Sequence, residues 1–177
     1  MLTVTYDRFG DPADVLRTAE ADTPVPAAGE ALLRMSLSPI HHHDLWTIRG
    51  SYGVRPALPS GAGSEAVAVV EALGEGVEGL AVGDRVAATG ITGAWAELFT
   101  APASSLIPVP AELPDESAAQ LVAMPFSAVS LLEHLDLAPG EVLVQNAATG
   151  AVGRLVAQFA QLRGIRVISL VQIGRAQ

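Results

Sequence analysis

The segment from residue 141 to residue 171 most constrains what this chain can fold into, because apolar runs and small residues follow each other there in a set order. Residues 142–144 form an apolar run long enough for one buried strand of a parallel sheet. Residues 154–161 have apolar side chains at helical spacing, and residues 165–171 form a second apolar run. Strand, turn, helix and strand fit within about thirty residues, the size of one βαβ unit. The sequence therefore predicts the start of a parallel sheet covered by helices.

The turn between the first of these strands and the helix is rich in small residues. Gly150 and Gly153 occupy the later places of the dinucleotide-binding fingerprint, and Ala147 stands in place of its first glycine. Such a turn lets the backbone approach a pyrophosphate, whose charge is then held by the N–H groups at a helix start. We predict cofactor contacts from Thr149, Gly150, Ala151, Val152 and Gly153. An ordinary tight turn of an α/β protein has the same pattern.

Composition excludes several classes of chemistry and of partner. The 177 residues contain no cysteine, which rules out disulfides, thiolate nucleophiles and cysteine-ligated zinc. All ten basic residues are arginines, so no lysine is present to form a Schiff base. The net charge of −9 argues against nucleic acid and anionic membrane surfaces as partners. No apolar run approaches the ~20 residues of a membrane span, and no signal peptide is visible, so we predict a cytoplasmic protein without a membrane partner.

Before residue 120, the sequence predicts short strands separated by turns rich in glycine and proline. The predicted strands cover residues 2–6, 15–19, 30–37, 66–73 and 94–100, with one more inside residues 74–88. Residues 43–50 are predicted as one or two helical turns closed by Gly50. Loops are predicted over residues 21–29 and 51–63. Many short strands with this punctuation indicate a barrel or a sandwich.

The pattern becomes helical in the last third of the chain. A first helix is predicted to start at Asp115 or the next residue and to run through Met124, and a second to cover residues 126–135. We place the domain boundary after residue 122. A β-rich domain over residues 1–122 is then followed by an α/β domain over residues 123–177.

Six segments of the chain resemble the medium-chain dehydrogenase/reductase superfamily. They are FGDPADVL, SPIHHHDLWTIRGSYG, LPSGAGSEAVAVVEALGEGV, GLAVGDRV, GAWAEL and LAPGEVLVQNAATGAVG. The resemblance implies a GroES-like β-barrel domain that carries the catalytic groups, followed by the first βαβ part of a Rossmann domain that binds NAD(P)H. IRGSYG, GAWAEL and VQNAATGAVG look most like the mitochondrial-type 2-enoyl thioester reductases. These enzymes and the quinone oxidoreductases form the zinc-independent branch.

The zinc alcohol dehydrogenases, the sister branch, have a cysteine and a histidine in the segments that read HHHD and GSE here. In this chain, His41 takes the place of the cysteine and Ser64 the place of the histidine. A catalytic zinc needs three firm protein ligands, and a serine hydroxyl is a poor one. We therefore predict that no metal is bound and that His41 lines the substrate site. The alternative is that His41, His43 and Glu65 imitate a zinc site.

Tyr52 lies in the glycine-flanked loop RGSYGVRP and matches the tyrosine that serves as proton donor in the enoyl thioester reductases. When an activated C=C is reduced, hydride goes to the β-carbon and negative charge develops toward the carbonyl oxygen. A phenol is protonated at neutral pH and can donate its proton. The alternative is a tyrosine packed under its loop. Trp95 is predicted to line the acyl pocket, although an aromatic residue beside a strand is also typical of a core.

The cofactor preference depends on the end of the second strand of the βαβ unit. The resemblance puts Gln172 where the reductases have an arginine, and Arg175 follows it. Because no carboxylate is present there to repel a phosphate, NADPH is favoured, and NADH is not excluded. Met124 replaces the asparagine that contacts the nicotinamide in the family, with Ser127 as a remaining hydroxyl nearby.

These observations predict a zinc-independent, NADPH-dependent oxidoreductase that reduces the C=C of a 2-enoyl thioester, or a quinone, by hydride transfer. A Rossmann sheet needs about six strands, and this sequence supplies two. We therefore expect a truncated reductase or half of a longer product, which would be a homodimer in its full-length form. Two alternatives stay open: a zinc-type alcohol dehydrogenase, and a remnant that binds no cofactor and has no enzymatic activity.

Overall fold

The computed structural model describes residues 1–171 and divides the chain into two compact units, Met1–Gln120 and Leu121–Gln177. The predicted boundary after residue 122 lies two residues further along the chain. The order of the elements confirms a β-rich unit followed by a βαβ unit. Gln172 and Arg175, on which the predicted cofactor preference depends, lie outside the described residues.

The first unit consists mainly of short strands. In chain order they are β1 (Leu2–Tyr6), β2 (Arg17–Glu20), β3 (Glu30–Leu37), β4 (Ser60–Gly61), β5 (Glu65–Leu73), β6 (Arg85–Thr89), β7 (Leu98–Pro102) and β8 (Ile107–Pro108). The helices are α1 (Pro12–Val15), α2 (His42–Arg49) and α3 (Asp115–Ala118), and a 3-10 turn covers Ala103–Ser105.

Two antiparallel sheets of this unit are joined through the segment before β7. The larger sheet has the order β7-β3-β5-β6-β8, and the smaller one has the order β2-β1-β4. The N–H of Val4 donates to the carbonyl of Trp95 at 2.8 Å, and the N–H of Glu97 donates to the carbonyl of Leu2 at 3.0 Å. The strand predicted over residues 94–100 therefore comprises this pairing segment and the start of β7.

Most of the predicted strands are present, with two kinds of exception. β1 and β3 have the predicted bounds, but the strand predicted over residues 15–19 starts later, at Arg17. The reason is α1, whose first residue is Pro12 and whose N-cap, Asp11, accepts the N–H of Ala13 at 3.0 Å. The two-residue strands β4 and β8 were not predicted, because each exists only through its pairing with a distant strand.

The core of the larger sheet is built from small and branched side chains that alternate along the strands. On β5, residues 66, 68 and 70 point into this core, and their neighbours on β3 and β6 do the same. Its fully buried members include Ala31, Leu33, Ala66, Ala68, Val70, Val86 and Ala88. The other face of β5 and β6 is covered as well, because Val67 and Ala87 are also fully buried.

Helix α2 is held at both ends by the residues that flank it. At its start, the backbone N–H of His41 donates to the carboxylate of Asp44 at 2.8 Å. At its end, Gly50 adopts a left-handed conformation with φ of 71°, and its N–H donates to Thr47. The predicted helical segment closed by Gly50 is confirmed.

The second unit contains α4 (Ala123–Leu135), β9 (Val142–Gln145), α5 (Ala151–Leu162) and β10 (Arg166–Ser169). β9 and β10 are parallel, with Val142 opposite Arg166 and Val144 opposite Ile168. The core lies between the two helices and one face of this small sheet, with Ala128, Leu132, Val156, Ala160 and Ile165 buried. The βαβ unit predicted from the sequence is confirmed.

The first predicted helix starts at Asp115, as expected, but it does not run through Met124. The structure ends α3 at Ala118 and starts a new helix, α4, at Ala123. Pro125 gives the physical reason: it has no N–H to donate to residue 121, and its ring would collide with that carbonyl. One continuous helix is therefore interrupted before Pro125, which is tolerated only in the first turn of α4.

The second face of the β9–β10 sheet is uncovered within the described residues. Val144 is 57% exposed and Ile168 is 53% exposed, whereas Leu143 and Val167 pack against the helices. Parallel sheets are normally covered on both faces. The second unit thus presents an apolar face, which the first unit does not do at β5 and β6.

Candidate functional site

The start of α2 and the start of β5 bring five polar residues of the first unit together. They are His41, His43, Asp44, Ser64 and Glu65, called the polar cluster below. Nε2 of His41 lies 2.6 Å from Oε2 of Glu65, and Nε2 of His43 lies 2.8 Å from Oγ of Ser64. The hydroxyl of Ser64 donates to Oδ1 of Asp44 at 2.6 Å. Three members of the polar cluster, His41, Asp44 and Glu65, are buried.

The hydrogen bonds of the cluster assign the proton positions at His43. A carboxylate only accepts, so the single hydrogen of the Ser64 hydroxyl points to Asp44. The Ser64 oxygen must then accept from His43, which therefore carries a hydrogen on Nε2. The other oxygen of Asp44 accepts the N–H of His41. Asp44 is thereby fixed by two donors, and it orients both Ser64 and the histidine ring.

Three rings form a column that runs from the interior to the surface. The rings of His41 and His43 are stacked, with their centroids 4.9 Å apart. The Tyr52 ring is stacked on His43 with a centroid distance of 5.8 Å and an angle of 27° between the planes. Tyr52 is 41% exposed, so the predicted proton donor stands at the surface end of the column and is not packed under its loop.

The polar cluster contains the residues that were considered as an alternative zinc site, namely His41, His43 and Glu65. Among residues 1–171, no group of three histidine, aspartate or glutamate residues is arranged to hold a metal ion. His41 and Glu65 are bonded to each other, and Ser64 is bonded to Asp44. The predicted absence of a metal stays a prediction that metal analysis can test.

Trp95 is packed against the turn that leads into β5. Its indole N–H donates to the carbonyl of Pro39 at 3.2 Å, and its ring lies against Gly63, where a Cβ would come within 2.3 Å of Cδ1 of the indole. Gly63 has a φ of 90°, which also favours glycine. Trp95 is therefore held in place by the same segment that carries Ser64 and Glu65.

Trp95 borders a cavity of about 500 Å³ in the first unit. Its walls are mainly apolar and come from β1, β3 and the segments around Trp95. The lining residues are Leu2, Thr3, Val4, Thr18, Met35, Ser36, Leu37, Ser38, Ile40, Trp95, Ala96 and Glu97. Of the two predicted substrate-lining residues, Trp95 borders this cavity. His41 follows Ile40 of the cavity wall in the sequence, but it is buried and is not part of the wall.

The predicted cofactor residues surround the start of α5 in the second unit. Gly150 is the N-cap of α5, no side chain caps the helix, and Thr149 precedes it. Ala147 has a φ of 49°, the left-handed conformation that favours glycine, and its carbonyl accepts the N–H of Gly150 at 3.0 Å. The first backbone N–H groups of a helix, here those of Ala151, Val152 and Gly153, have no partner inside the helix.

Gly153 is packed against the turn itself. A Cβ at this position would lie 2.8 Å from the carbonyl oxygen of Ala147 and 2.8 Å from Cα of Ala148. Its own carbonyl accepts the side-chain N–H of Gln145, at the end of β9, at 3.1 Å. A larger residue would push the helix start away from the strand, so glycine at 153 keeps β9, the turn and α5 in close contact.

Two further predicted positions lie in α4. Met124 is in its first turn, and Ser127 donates its hydroxyl to the carbonyl of Ala123 at 2.8 Å. The hydroxyl predicted to remain available near the cofactor is thus bonded to its own helix. Sequence reasoning did not identify the chain from Asp44 through Ser64 to His43, although Asp44 was visible as an acidic residue in the first turn of a helix.

Similar proteins include reductases of two kinds. The family described as "Alcohol dehydrogenase GroES-like domain" matches residues 27–111. Mitochondrial enoyl-acyl-carrier-protein reductase of Homo sapiens is 35% identical over 171 residues, which are 96% of this chain and 46% of that protein. The Arabidopsis thaliana protein of the same name is 33% identical over 96% of this chain and 46% of its own length. The chain therefore spans about half the length of these relatives.

Solved structures give the same picture. Quinone oxidoreductase of Escherichia coli, complexed with NADPH, superposes with a TM-score of 0.90 at 28% identity, over 99% of this chain and 54% of that one. A putative NADPH:quinone reductase of Bacillus thuringiensis has a TM-score of 0.89 at 34% identity, over 95% of this chain and 51% of its own. Among the described residues, no helix has both the length and the apolar character needed to cross a membrane.

Proposed function

Because this chain belongs to the zinc-independent branch of the medium-chain dehydrogenase/reductase superfamily, we propose that it forms part of an NADPH-dependent oxidoreductase. The proposed reaction is hydride transfer to an activated C=C of a 2-enoyl thioester or to a quinone. The two substrates correspond to the two kinds of relative, enoyl reductases and quinone oxidoreductases. The choice between them is decided by experiment.

The observation that carries the proposal is the turn at the start of α5. The helix begins without a side-chain cap, directly after a parallel strand, and Gly153 keeps the turn tight. Backbone N–H groups at such a helix start bind phosphate, because they are unpaired and the helix dipole favours negative charge there. We assign the pyrophosphate of NADPH to the N–H groups of residues 151–153, with Thr149 and Gly150 beside them. NADH would bind the same turn, and the predicted preference for NADPH depends on Gln172 and Arg175, which lie outside the described residues.

Tyr52 is proposed as the proton donor of the reaction. Bound NADPH would supply the hydride. As the β-carbon of an enoyl thioester gains this hydride, the electron pair of the double bond moves toward the carbonyl oxygen, and the resulting enolate takes a proton at its α-carbon. The exposed phenol of Tyr52 can donate that proton and then be reprotonated by solvent. The cavity that Trp95 borders is proposed as part of the substrate site, with Trp95 lining it.

The alternative hypothesis, a zinc-type alcohol dehydrogenase, requires a metal at the polar cluster. We propose that none is bound, since His41 and Glu65 bond each other and a serine hydroxyl replaces the third ligand. Metal analysis of the purified chain after mild dialysis should find well under one zinc per chain. One tightly held zinc per chain would favour the alcohol dehydrogenase hypothesis.

Binding of NADPH to the chain tests the cofactor assignment directly. In a ¹⁵N-labelled sample of residues 1–177, titration with NADPH to millimolar concentration should shift the backbone amides of residues 150–153. Gly153→Ala should abolish these shifts, whereas Gln158→Ala, on the exposed side of α5, should keep them. If NADPH does not shift these amide signals, the assignment is wrong. The result would then favour the alternative of a remnant that binds no cofactor.

Turnover tests the reaction. NADPH oxidation is measured with a crotonyl thioester and with a quinone, using the chain alone and the chain fused to the second half of a quinone oxidoreductase relative, after circular dichroism has verified folding. Hydride transfer by either form supports the proposal, and its absence from both contradicts it. The cytoplasmic location and a homodimeric full-length form remain parts of the proposal, to be checked by fractionation and by sedimentation.

A further inference from the structure

The loop that carries Tyr52 is held by few contacts. It connects α2 to β4, and most of its residues are exposed. Ser51 donates its N–H to the carbonyl of Trp46 at 3.0 Å, and Arg55 lies over the Phe9 ring at 4.9 Å from its centroid. Within the described part of the chain, the Tyr52 side chain makes no hydrogen bond, and its ring stacks on His43. This stacking is the observed contact that can orient the Tyr52 ring.

His43 is much more firmly held than Tyr52. Its Nε2–H donates to Ser64, and Ser64 donates to Asp44, which is only 4% exposed. One face of the His43 ring is covered by His41, whose own Nε2 is bonded to the buried Glu65. The outward side of His43 faces Tyr52. A rigid buried network thus ends in a flat ring surface, and the exposed tyrosine lies on that surface.

We propose that His43 is a positioning residue for Tyr52. In this proposal, Asp44 fixes Ser64, Ser64 fixes the plane of the His43 ring through Nε2, and the ring holds Tyr52 by stacking. Stacked and tilted rings at centroid distances of about 4.5–7 Å attract each other. The proposal rests on the role of Tyr52 as proton donor given above. It assigns His43 no proton transfer of its own.

Two substitutions of His43 separate its ring from its hydrogen bond. His43→Phe keeps a flat ring for Tyr52 and loses the donor to Ser64. His43→Gln can place its Nε2–H near the position of the histidine Nε2–H, but it offers no ring. If stacking positions Tyr52, His43→Gln should lower kcat roughly 10- to 100-fold with KM little changed, because a misplaced reacting group costs that much. His43→Phe should stay within about fivefold of the original kcat.

Other outcomes contradict the proposal in distinct ways. Equal losses in both variants would indicate that His43 itself transfers a proton, since neither phenylalanine nor glutamine can do so. An unchanged kcat in both variants would show that Tyr52 needs no support from this ring. The reverse order, with His43→Phe the poorer enzyme, would assign the effect to the bond with Ser64 instead of the stack.

Ser64 offers a matched pair of variants for the second step. Ser64→Ala removes the hydroxyl that connects His43 to Asp44, whereas Ser64→Thr keeps a hydroxyl at the same place. We expect a loss in kcat of up to about fivefold for alanine, the same limit as for His43→Phe, which breaks the same bond, and recovery of the original kcat for threonine. A loss that threonine does not restore would exclude the hydroxyl as the connection. Asp44 is left unchanged, because it also holds the start of α2.

A measurement without turnover tests the positioning separately from the reaction. In the chain labelled with ¹³C-tyrosine, relaxation and nuclear Overhauser effects report whether the Tyr52 ring is ordered and near His43. We expect an ordered ring in the original chain and in His43→Phe, and a mobile ring in His43→Gln. A ring that is equally mobile in all three would overturn the proposal. If the ring is ordered as expected but the original protein transfers no hydride, the proposed function fails and the positioning stands.

Discussion

The two units of the chain bury their sheets in different ways. In the first unit, β5 and β6 are covered on both faces, so that Ala66 and Val67, which point in opposite directions, are both fully buried. In the second unit, β9 and β10 are covered on one face, and Val144 and Ile168 lie open on the other. Both units are built from strands with short apolar residues. The difference lies in the number of layers that the described residues supply.

This difference has a chemical counterpart. The polar cluster of the first unit is largely buried. A carboxylate such as Asp44 is tolerated in the interior because both of its oxygens accept hydrogen bonds. The turn of the second unit acts through backbone N–H groups, which require only a strand, a glycine and a helix start. Side-chain chemistry is thus expected in the closed unit, and binding of a phosphate in the open one.

The largest expected effect concerns the stability of the closed unit. Leu33→Ala removes a fully buried side chain of β3, the strand between β5 and β7, and should lower the free energy of unfolding by about 2–5 kcal/mol. The matched change in the open face, Val144→Thr, keeps a branched strand residue and should change it by less than about 0.5 kcal/mol. Denaturant unfolding of both variants measures the comparison. Equal losses would mean that the open face is covered in solution.

Self-association of the chain is the next effect in size. The apolar face around Val144 and Ile168 should bind a second apolar surface, so residues 1–177 should associate as their concentration rises. Replacing both residues by threonine should weaken this association about tenfold. Val25→Thr, an exposed change in a loop of the other unit, is the control and should have no effect. Sedimentation velocity decides, and a chain that stays monomeric at all concentrations would contradict the prediction.

The smallest effect lies on the surface of the larger sheet. Nε of Arg34 lies 2.5 Å from Oε1 of Glu71, and this hydrogen bond, together with the positive charge of Arg34, holds the pKa of Glu71 below its usual range. The pair therefore stabilises the fold above the usual glutamate pKa, and this contribution is lost as the pH falls through the lowered value. An NMR titration of Glu71 should show the lowered midpoint, and Arg34→Gln should raise it. A midpoint that does not respond to Arg34→Gln would exclude this cause.

Local patterns were sufficient to predict the elements whose own residues determine them. The alternation along residues 30–37 predicted β3 with its bounds, and the apolar runs around the glycines predicted β9, α5 and β10. The break between α3 and α4 was predicted at Pro125, but it lies at residues 119–122, because a proline is tolerated in the first turn of α4. The strands β4 and β8 depend on partners far along the chain and have too few residues to carry a pattern.

The candidate site was predictable in part for the same reason. The resemblance of the HHHD and GSE segments to the zinc branch implied that they lie close together, and the structure brings them together. The order of the bonds could not be predicted. Whether His41 or His43 would meet Ser64 depends on the turn of α2 and on the register of β5, which only the folded chain specifies. The stacking of Tyr52 on His43 likewise depends on the path of a loop without a pattern.

Tyr52→Phe tests most directly the claim that the closed unit supplies the chemistry and the open unit the cofactor site. The substitution keeps the ring and its stacking on His43 and removes only the hydroxyl. With saturating NADPH and a crotonyl thioester, we expect single-turnover hydride transfer to slow by roughly 10²–10⁴-fold, the usual contribution of a positioned acid. The affinity for NADPH should stay within about threefold of the original, because the phosphates are assigned to the turn at Gly150. An unchanged rate per folded molecule would contradict the account and remove Tyr52 from the mechanism.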